Sequence, residues 1–203
     1  MKKTVIVATK NAHKLSEMAA LLDGVCGIEL KSMKEIGLDA EIEENGTTFE
    51  ENAKIKAREV CRITGMPAIA DDSGLSVDYL SGEPGIYSAR YASENGQNAS
   101  DDANNKKLLE KLKNVPECDR TARFVSAVAL VLPDGREFSA LGVCEGIIMR
   151  EERGNGGFGY DPLFFCPEFS KTFGELSPEQ KNSVSHRNRA CLQLRKILEN
   201  TNI

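Results

Sequence analysis

The chain offers little that would tie it to a membrane, a thiolate metal site or nucleic acid. Near the amino terminus an apolar run covers only residues 5–8 before Thr9, Lys10 and Asn11, too short for a signal-peptide core or a membrane span, and no other run approaches a span in length. Lys and Arg number 26 against 31 Asp and Glu, so the net charge is -5 and the balance argues against tight non-specific nucleic-acid binding. It leaves room for a local cationic pocket that takes a small anion. The six cysteines are widely scattered, with no C-x-x-C and no Cys/His pairing at zinc spacing. They read as free, mostly buried thiols of a reducing cytoplasm. His13 and His186 are the only histidines, far apart in sequence. The G-x-x-x-x-G-K-[ST] phosphate loop is absent, as are linkers, repeats and low-complexity tracts. No nucleic acid and no membrane is therefore expected among the partners.

What is present is a chain of 203 residues with 40% hydrophobic and 28% charged content, ordinary for a soluble globular protein and long enough for one large domain or two closely joined lobes. The stretch around which it is organised is residues 67–92. An apolar run over residues 67–70 reads as a buried strand end, followed at once by Asp71, Asp72, Ser73 and Gly74. A second apolar run over residues 75–80 alternates roughly with period two, and Gly82, Pro84 and Gly85 break the chain. Adjacent acids at a buried strand end are costly unless a cation meets them, a divalent metal or a basic side chain. The alternative is a turn in which one Asp caps and the other is solvated.

Upstream, residues 4–9 read as a buried strand. Leu15, Met18, Ala19 and Leu22 recur at helical spacing, so a helix starts near Asn11 or Ala12. Thr9, Asn11 and Lys14 then sit at a strand-to-helix turn, where free N–H groups and the helix dipole suit phosphate. Equally, Asn11 caps the helix and Lys14 is a solvated lysine. Residues 28–32 form a candidate second strand. Thr47, Thr48, Glu50 and Glu51 give overlapping capping boxes for a helix that ends near Gly65, and Glu44 lies just upstream. Glu44 belongs to a solvated acidic loop, or it joins Asp72 as a second metal carboxylate.

Downstream, residues 93–100 read as a loop and 101–113 as a surface helix ended by Pro116. Residues 122–132 and 137–144 flank Pro133, Asp134 and Gly135, a hairpin signal, and residues 146–151 would add a further strand. Residues 154–161 place four glycines around Phe158, with Tyr160 and Asp161 close behind. This is a loop with a half-buried aromatic, or a backbone that approaches a flat ligand and leaves Phe158 to stack on it. Ser177 and Pro178 start a helix, and Ser185 caps a final one whose buried face is Ala190, Leu194, Ile197 and Leu198. His186 and Arg187 in its first turn oppose the helix dipole, a conflict that an outside acceptor would relieve.

These segments together resemble the inosine triphosphate pyrophosphatase family, the XTP/dITP diphosphatases. The resemblance rests on T-x-N-x-x-K at Thr9 to Lys14, E-x-G-x-T-F-x-E-N-A from Glu44 to Ala53 and A-D-D-S-G-L from Ala70 to Leu75. P-G-I-Y-S-A-R-Y from Pro84 to Tyr91, G-G-F-G-Y-D-P from Gly156 to Pro162 and S-H-R from Ser185 to Arg187 complete it. One departure is Lys10 and His13, where relatives often carry glycine; these side chains must point away from the phosphates, or Lys10 adds a charge.

The resemblance implies hydrolysis of ITP, dITP or XTP to the monophosphate and pyrophosphate with Mg2+. It implies an α/β fold on a long mixed sheet with flanking helices, one domain over residues 1–203 whose two lobes surround a central cleft, and a homodimer with residues 84–91 as a candidate interface. It assigns Glu44 and Asp72 to the metal, with Asp72 also catalytic and Asp71 a weaker candidate for orienting water. Thr9, Lys10, Asn11, Ala12, His13, Lys14 and Ser73 fall to the phosphates, with Lys171 as a further candidate. Phe158, Gly159, Tyr160, Asp161, Lys181, His186 and Arg187 fall to the purine. The rival expectations are a pyrophosphatase for other modified or pyrimidine nucleotides, and a nucleotide- or RNA-binding protein without turnover.

Overall fold

The computed structural model describes residues 2–22, 24 and 27–201. Seven strands form one mixed sheet in the order β2-β1-β3-β4-β5-β6-β7. They are β1 (Lys3–Val7), β2 (Ile28–Ser32), β3 (Ala68–Val77), β4 (Thr121–Val131), β5 (Glu137–Ile148), β6 (Phe164–Cys166) and β7 (Lys171–Thr172). The helices are α1 (Ala12–Leu22), α2 (Phe49–Thr64), α3 (Asp101–Lys111), α4 (Pro178–Val184) and α5 (His186–Asn200). β1 runs parallel to both β2 and β3, whereas β6 is antiparallel to β5 and β7. Among the described residues no helix is long and apolar enough to cross a membrane.

The chain divides into two compact units. The first comprises Met1–Asp72, Ser126–Gly142 and His186–Ile203; the second comprises Ser73–Val125 and Val143–Ser185. In the first unit the strand alternation sorts side chains into two cores. Val5, Val7, Ile69, Val128 and Leu130 pack with Met18 and Leu22 of α1 and with Ala190, Leu194 and Leu198 of α5. Ile6, Ala8, Ala68, Ala70, Ala127 and Ala129 pack with Ala53, Ala57 and Val60 of α2. Odd and even positions thus take opposite faces, as the pleat requires. Alanines on both sides of the second core let α2 lie close to the sheet.

Local signals place the helix ends. The Thr48 hydroxyl accepts the Glu51 N–H, while the Glu51 carboxylate reaches back to the N–H and hydroxyl of Thr47. Gly65 closes α2 in the left-handed conformation, at φ 65°, where a side chain would be strained. Ser177 and Gln180 form a capping box at α4, with Pro178 in the first turn. α5 buries Cys191 beside Ala190, Leu194 and Leu198, and Ile197 is only half-buried.

The second unit has its own core. Phe124, Phe164 and Phe173 stand with ring centroids 4.6–5.8 Å apart, among Leu75, Leu108, Leu112 and Leu163. Gly74 is the contact that ties residues 84–91 down: a Cβ there would lie 2.3 Å from the Ser88 hydroxyl. That hydroxyl accepts the Leu75 N–H and donates to the Gly85 carbonyl. Tyr87 and Tyr79 remain more than half exposed.

Two expectations are corrected. The strand at residues 67–70 does not stop before the acids; β3 runs unbroken to Val77, because Asp71 and Asp72 find cationic partners on either face. No separate strand occupies residues 146–151, since β5 itself continues to Ile148. Of the cysteines, Cys61, Cys144, Cys166 and Cys191 are free and buried and Cys118 is free and exposed; Cys26 lies outside the described residues.

Candidate active site

The alternation of β3 that sends Ile69 to one core and Ala70 to the other continues into Asp71 and Asp72. Their carboxylates therefore serve two different clusters.

Asp72 faces α2. Its Oδ1 lies 3.2 Å from the Lys56 ammonium, and its Oδ2 accepts from the Asn52 amide at 3.2 Å. The same ammonium is 3.1 Å from Oε2 of Glu44. Asn52 and Lys56 stand one turn apart on α2, so both reach the same side. The other end of the Asn52 amide accepts the Gly46 N–H at 2.8 Å, which straps the loop carrying Glu44 to the helix. A Cβ on Gly46 would sit 2.7 Å from that amide oxygen, so the strap needs glycine. Glu44 and Asp72, 28 positions apart in sequence, thus converge on one cation.

Burial raises the Asp72 pKa, aided by the charges of Glu44 and Asp71, against the opposing pull of Lys56 and Lys14. Lys56 is itself buried, which lowers its pKa, but Asp72, Glu44 and Asp71 outweigh this and keep it charged. Two carboxylates facing one ammonium carry a surplus negative charge, and both offer hard oxygen donors. That set fits a cation such as Mg2+, which takes one or two carboxylates and completes its sphere with phosphate and water oxygens. Among the described residues no group of three His, Cys, Asp or Glu side chains converges on a point, so a site assembled by protein ligands alone is not formed.

Asp71 faces α1 and α5. Its Oδ2 meets the Lys14 ammonium at 2.9 Å and the Arg187 guanidinium at 3.3 Å, and Ser126 donates to its Oδ1. The second terminal nitrogen of Arg187 donates to Glu17. Burial alone would raise the Asp71 pKa; Arg187 and Lys14, with the hydrogen bonds, hold it well below the usual carboxylate range. Arg187 stays charged in spite of its burial because Asp71 and Glu17 flank it. Gly142 of β5 allows α5 to begin here, since a Cβ would lie 2.0 Å from the His186 carbonyl.

At the entry to α1, the Asn11 side chain accepts the N–H groups of His13 and Lys14 at 3.0 and 3.1 Å, and Thr9 accepts the Asn11 N–H. Asn11 is thus the helix cap, one of the two readings its position allowed. Lys14 is not the solvated lysine of the same reading, because its side chain is only 16% exposed. No acid occupies the first turn of α1. Ala12 and His13 are exposed, and Lys10 turns out to solvent and pairs with Asp39 at 2.7 Å.

In the second unit, the Phe158 N–H donates to Oδ2 of Asp161 at 2.9 Å, and the Lys181 ammonium meets the same oxygen at 2.7 Å. That ammonium also stands 4.7 Å from the centroid of the Phe158 ring. Asp161 and Lys181 are buried and Phe158 half-buried. The Tyr160 hydroxyl donates to the Ser88 carbonyl, and the Gly159 N–H donates to Asp101. Gly157, at φ 75°, brings the loop so close that a Cβ would meet the Asp161 carboxylate at 2.1 Å. Ser73 is half-buried in β3, and Lys171 is exposed at the start of β7.

The sequence reading assigned Asp161 and Arg187 to a base as donors or acceptors. The structure gives Oδ2 of Asp161 to Lys181 and Phe158, and both terminal nitrogens of Arg187 to carboxylates. Arg187 thereby finds the outside acceptors that its unfavourable place in the first turn of α5 called for. Lys56, Asn52, Glu17 and Ser126 were not singled out. The i, i+4 spacing of Asn52 and Lys56 on the helix after Glu44 was the available signal; nothing local marks Glu17 or Ser126.

The arrangement has relatives. A family model described as the Ham1 family matches residues 5–197. The chain is 52% identical over 191 residues, 94% of each chain, to the dITP/XTP pyrophosphatase of Geobacter sulfurreducens. It is 48% identical over 200 residues, 97% of this chain and 98% of the other, to the dITP/XTP pyrophosphatase of Escherichia coli O157:H7. Among solved structures, a HAM1 protein from Coxiella burnetii has a TM-score of 0.88 at 41% identity, covering 98% of this chain and 100% of that one. With a family match over nearly its whole length and close relatives at this identity, the chain belongs to the Ham1 family.

Proposed function

We propose that residues 1–203 form a single pyrophosphatase domain that hydrolyses ITP, dITP and XTP to the monophosphate and pyrophosphate. The observation that carries this reading is the convergence of Glu44 and Asp72 on one cation position beside the entry to α1. The relatives named dITP/XTP pyrophosphatases support the two substrates dITP and XTP.

Glu44 and Asp72 would hold Mg2+, which when bound neutralises phosphate oxygens and keeps the triphosphate aligned. The remaining work falls to the chain. The N–H groups at the start of α1, with Thr9, Lys14 and Ser73, bind the phosphate tail. Asp72 orients water and accepts its proton as the water oxygen bonds to the α-phosphorus. The bond from that phosphorus to the bridging oxygen breaks, and pyrophosphate leaves. Lys56 keeps the two acids together before substrate arrives.

In the second unit, Phe158, whose ring also meets the Lys181 ammonium, stacks on the purine. Asp161 holds Lys181 in place; His186, which belongs to the first unit, is the proposed donor to the 6-oxo group. Adenine has an amino donor there, so a donor would face a donor. A buried polar group left unpaired costs about 1–3 kcal/mol. The exposed Tyr87 supports a homodimer through residues 84–91, and nucleotide-pool substrates support a cytoplasmic location.

The test is pyrophosphate release with Mg2+ from ITP, dITP and XTP against ATP, dTTP and UTP, for the parent and for Asp72→Asn. Turnover of the first three, abolished in the variant, is expected. Preference for dTTP or UTP would transfer the reading to pyrimidine nucleotides. Binding without turnover would remove the enzyme.

A further inference from the structure

Four charged side chains in the first unit form a chain of three ion pairs that the proposed chemistry does not by itself require. Lys14 and Glu17 lie three residues apart on α1 and so share a face. Lys14 pairs with Asp71, Asp71 with Arg187, and Arg187 with Glu17. Two cations meet two carboxylates. These groups are largely desolvated, with Arg187 1% and Asp71 0% exposed, and Lys14 and Glu17 each 16%. Charge pairs this dry are costly to open on one side only.

The sharing at Asp71 has a consequence. One oxygen, Oδ2, serves both Lys14 and Arg187. A Lys14 that turns to a phosphate would leave that oxygen while Arg187 still holds it. His186 precedes Arg187 in the first turn of α5. Glu17 holds the other terminal nitrogen of Arg187.

We propose that Glu17 and Asp71 are positioning residues that fix His186 and Arg187 and couple the phosphate contact of Lys14 to selection of the base. The inference rests on the functional reading above and deepens it. Neither residue touches substrate; each acts through Arg187. A merely structural role would lower turnover of all nucleotides alike. A positioning role lowers the good substrate more than the poor one.

The experiment compares kcat/KM for ITP and ATP in the parent, Glu17→Gln and Glu17→Asp, with inhibition by inorganic tripolyphosphate as a measure of phosphate binding without a base. In Glu17→Gln the ITP-to-ATP ratio is expected to fall about tenfold, within the usual range of coupling between sites. Tripolyphosphate inhibition should change less than about twofold on the same scale, and Glu17→Asp should restore part of the ratio. Equal losses for ITP and ATP would overturn the inference alone. Absence of pyrophosphate release from ITP by the parent would overturn the functional reading, and this inference with it. If Glu17→Gln does not fold, Ser126→Ala loosens Asp71 without baring a charge; a fall in the ratio is then expected, and an unchanged ratio overturns the inference.

Discussion

Asp71 and Asp72 are adjacent in β3, yet their carboxylates leave the strand on opposite faces, Asp71 to Lys14 and Arg187 and Asp72 to Lys56 and Asn52. The two acids are driven in opposite directions. Asp71 is held well below the usual carboxylate value by Arg187 and Lys14, and Asp72 is raised from it by burial. They are therefore not interchangeable, and substitutions at them should part company.

Asp72→Asn should lower turnover of ITP by at least about 100-fold, the lower end of what a positioned base contributes. Without metal it should also melt higher than the parent near neutral pH. A carboxyl whose folded pKa is raised binds its proton more tightly in the folded state, so stability falls as pH rises from the ordinary aspartate range through the raised value. The variant lacks that loss. Melting in EDTA from pH 4 to pH 8 should show the gap opening with pH; a gap that closes would refute the assignment.

Asp71→Asn should destabilise, by about 3–5 kcal/mol, because it strands the buried Arg187. Here the folded pKa is depressed, so the carboxylate's contribution is complete above the ordinary aspartate value of 3.8 and is lost as pH falls through the lower folded value. Urea unfolding should find the gap between parent and variant constant from pH 7 to pH 5 and shrinking only below pH 4.

Lys56→Met leaves Glu44 and Asp72 facing each other without their shared ammonium. Loss of the partner should cost about 3–5 kcal/mol in metal-free protein. A divalent cation bound by the same pair should return much of it, since a ligand of the folded state stabilises by mass action. Thermal melts with MgCl2 and with EDTA should differ more in this variant than in the parent, and hardly at all once Glu44→Gln is added.

Phe158→Leu should raise KM for ITP by about tenfold and leave tripolyphosphate inhibition unchanged, since an aromatic–base stack is worth about 1–3 kcal/mol. The substitution also removes the ring beneath the Lys181 ammonium. An equal rise in both constants would place Phe158 outside base recognition.

Much of the local structure was legible in the residues. The start of α1 at Ala12, the bounds of β2 at Ile28–Ser32 and the end of α2 before Gly65 follow from spacing, caps and a left-handed glycine. These signals act over three or four residues, so the chain carries them in its own order. Six motifs also sufficed to name the family and to place Glu44 and Asp72 as a pair.

Only the tertiary structure decided what those residues face. Asp71 and Asp72 looked like the end of a strand because acids inside a buried strand are rare; the cations that permit them come from Lys14, Lys56 and Arg187, the last 116 positions away. Arg187 is an anchored cation because Glu17 and Asp71 close on it from two other elements. Propensity and capping are properties of neighbours along the chain, whereas the balance of buried charge is settled among groups that only folding brings together.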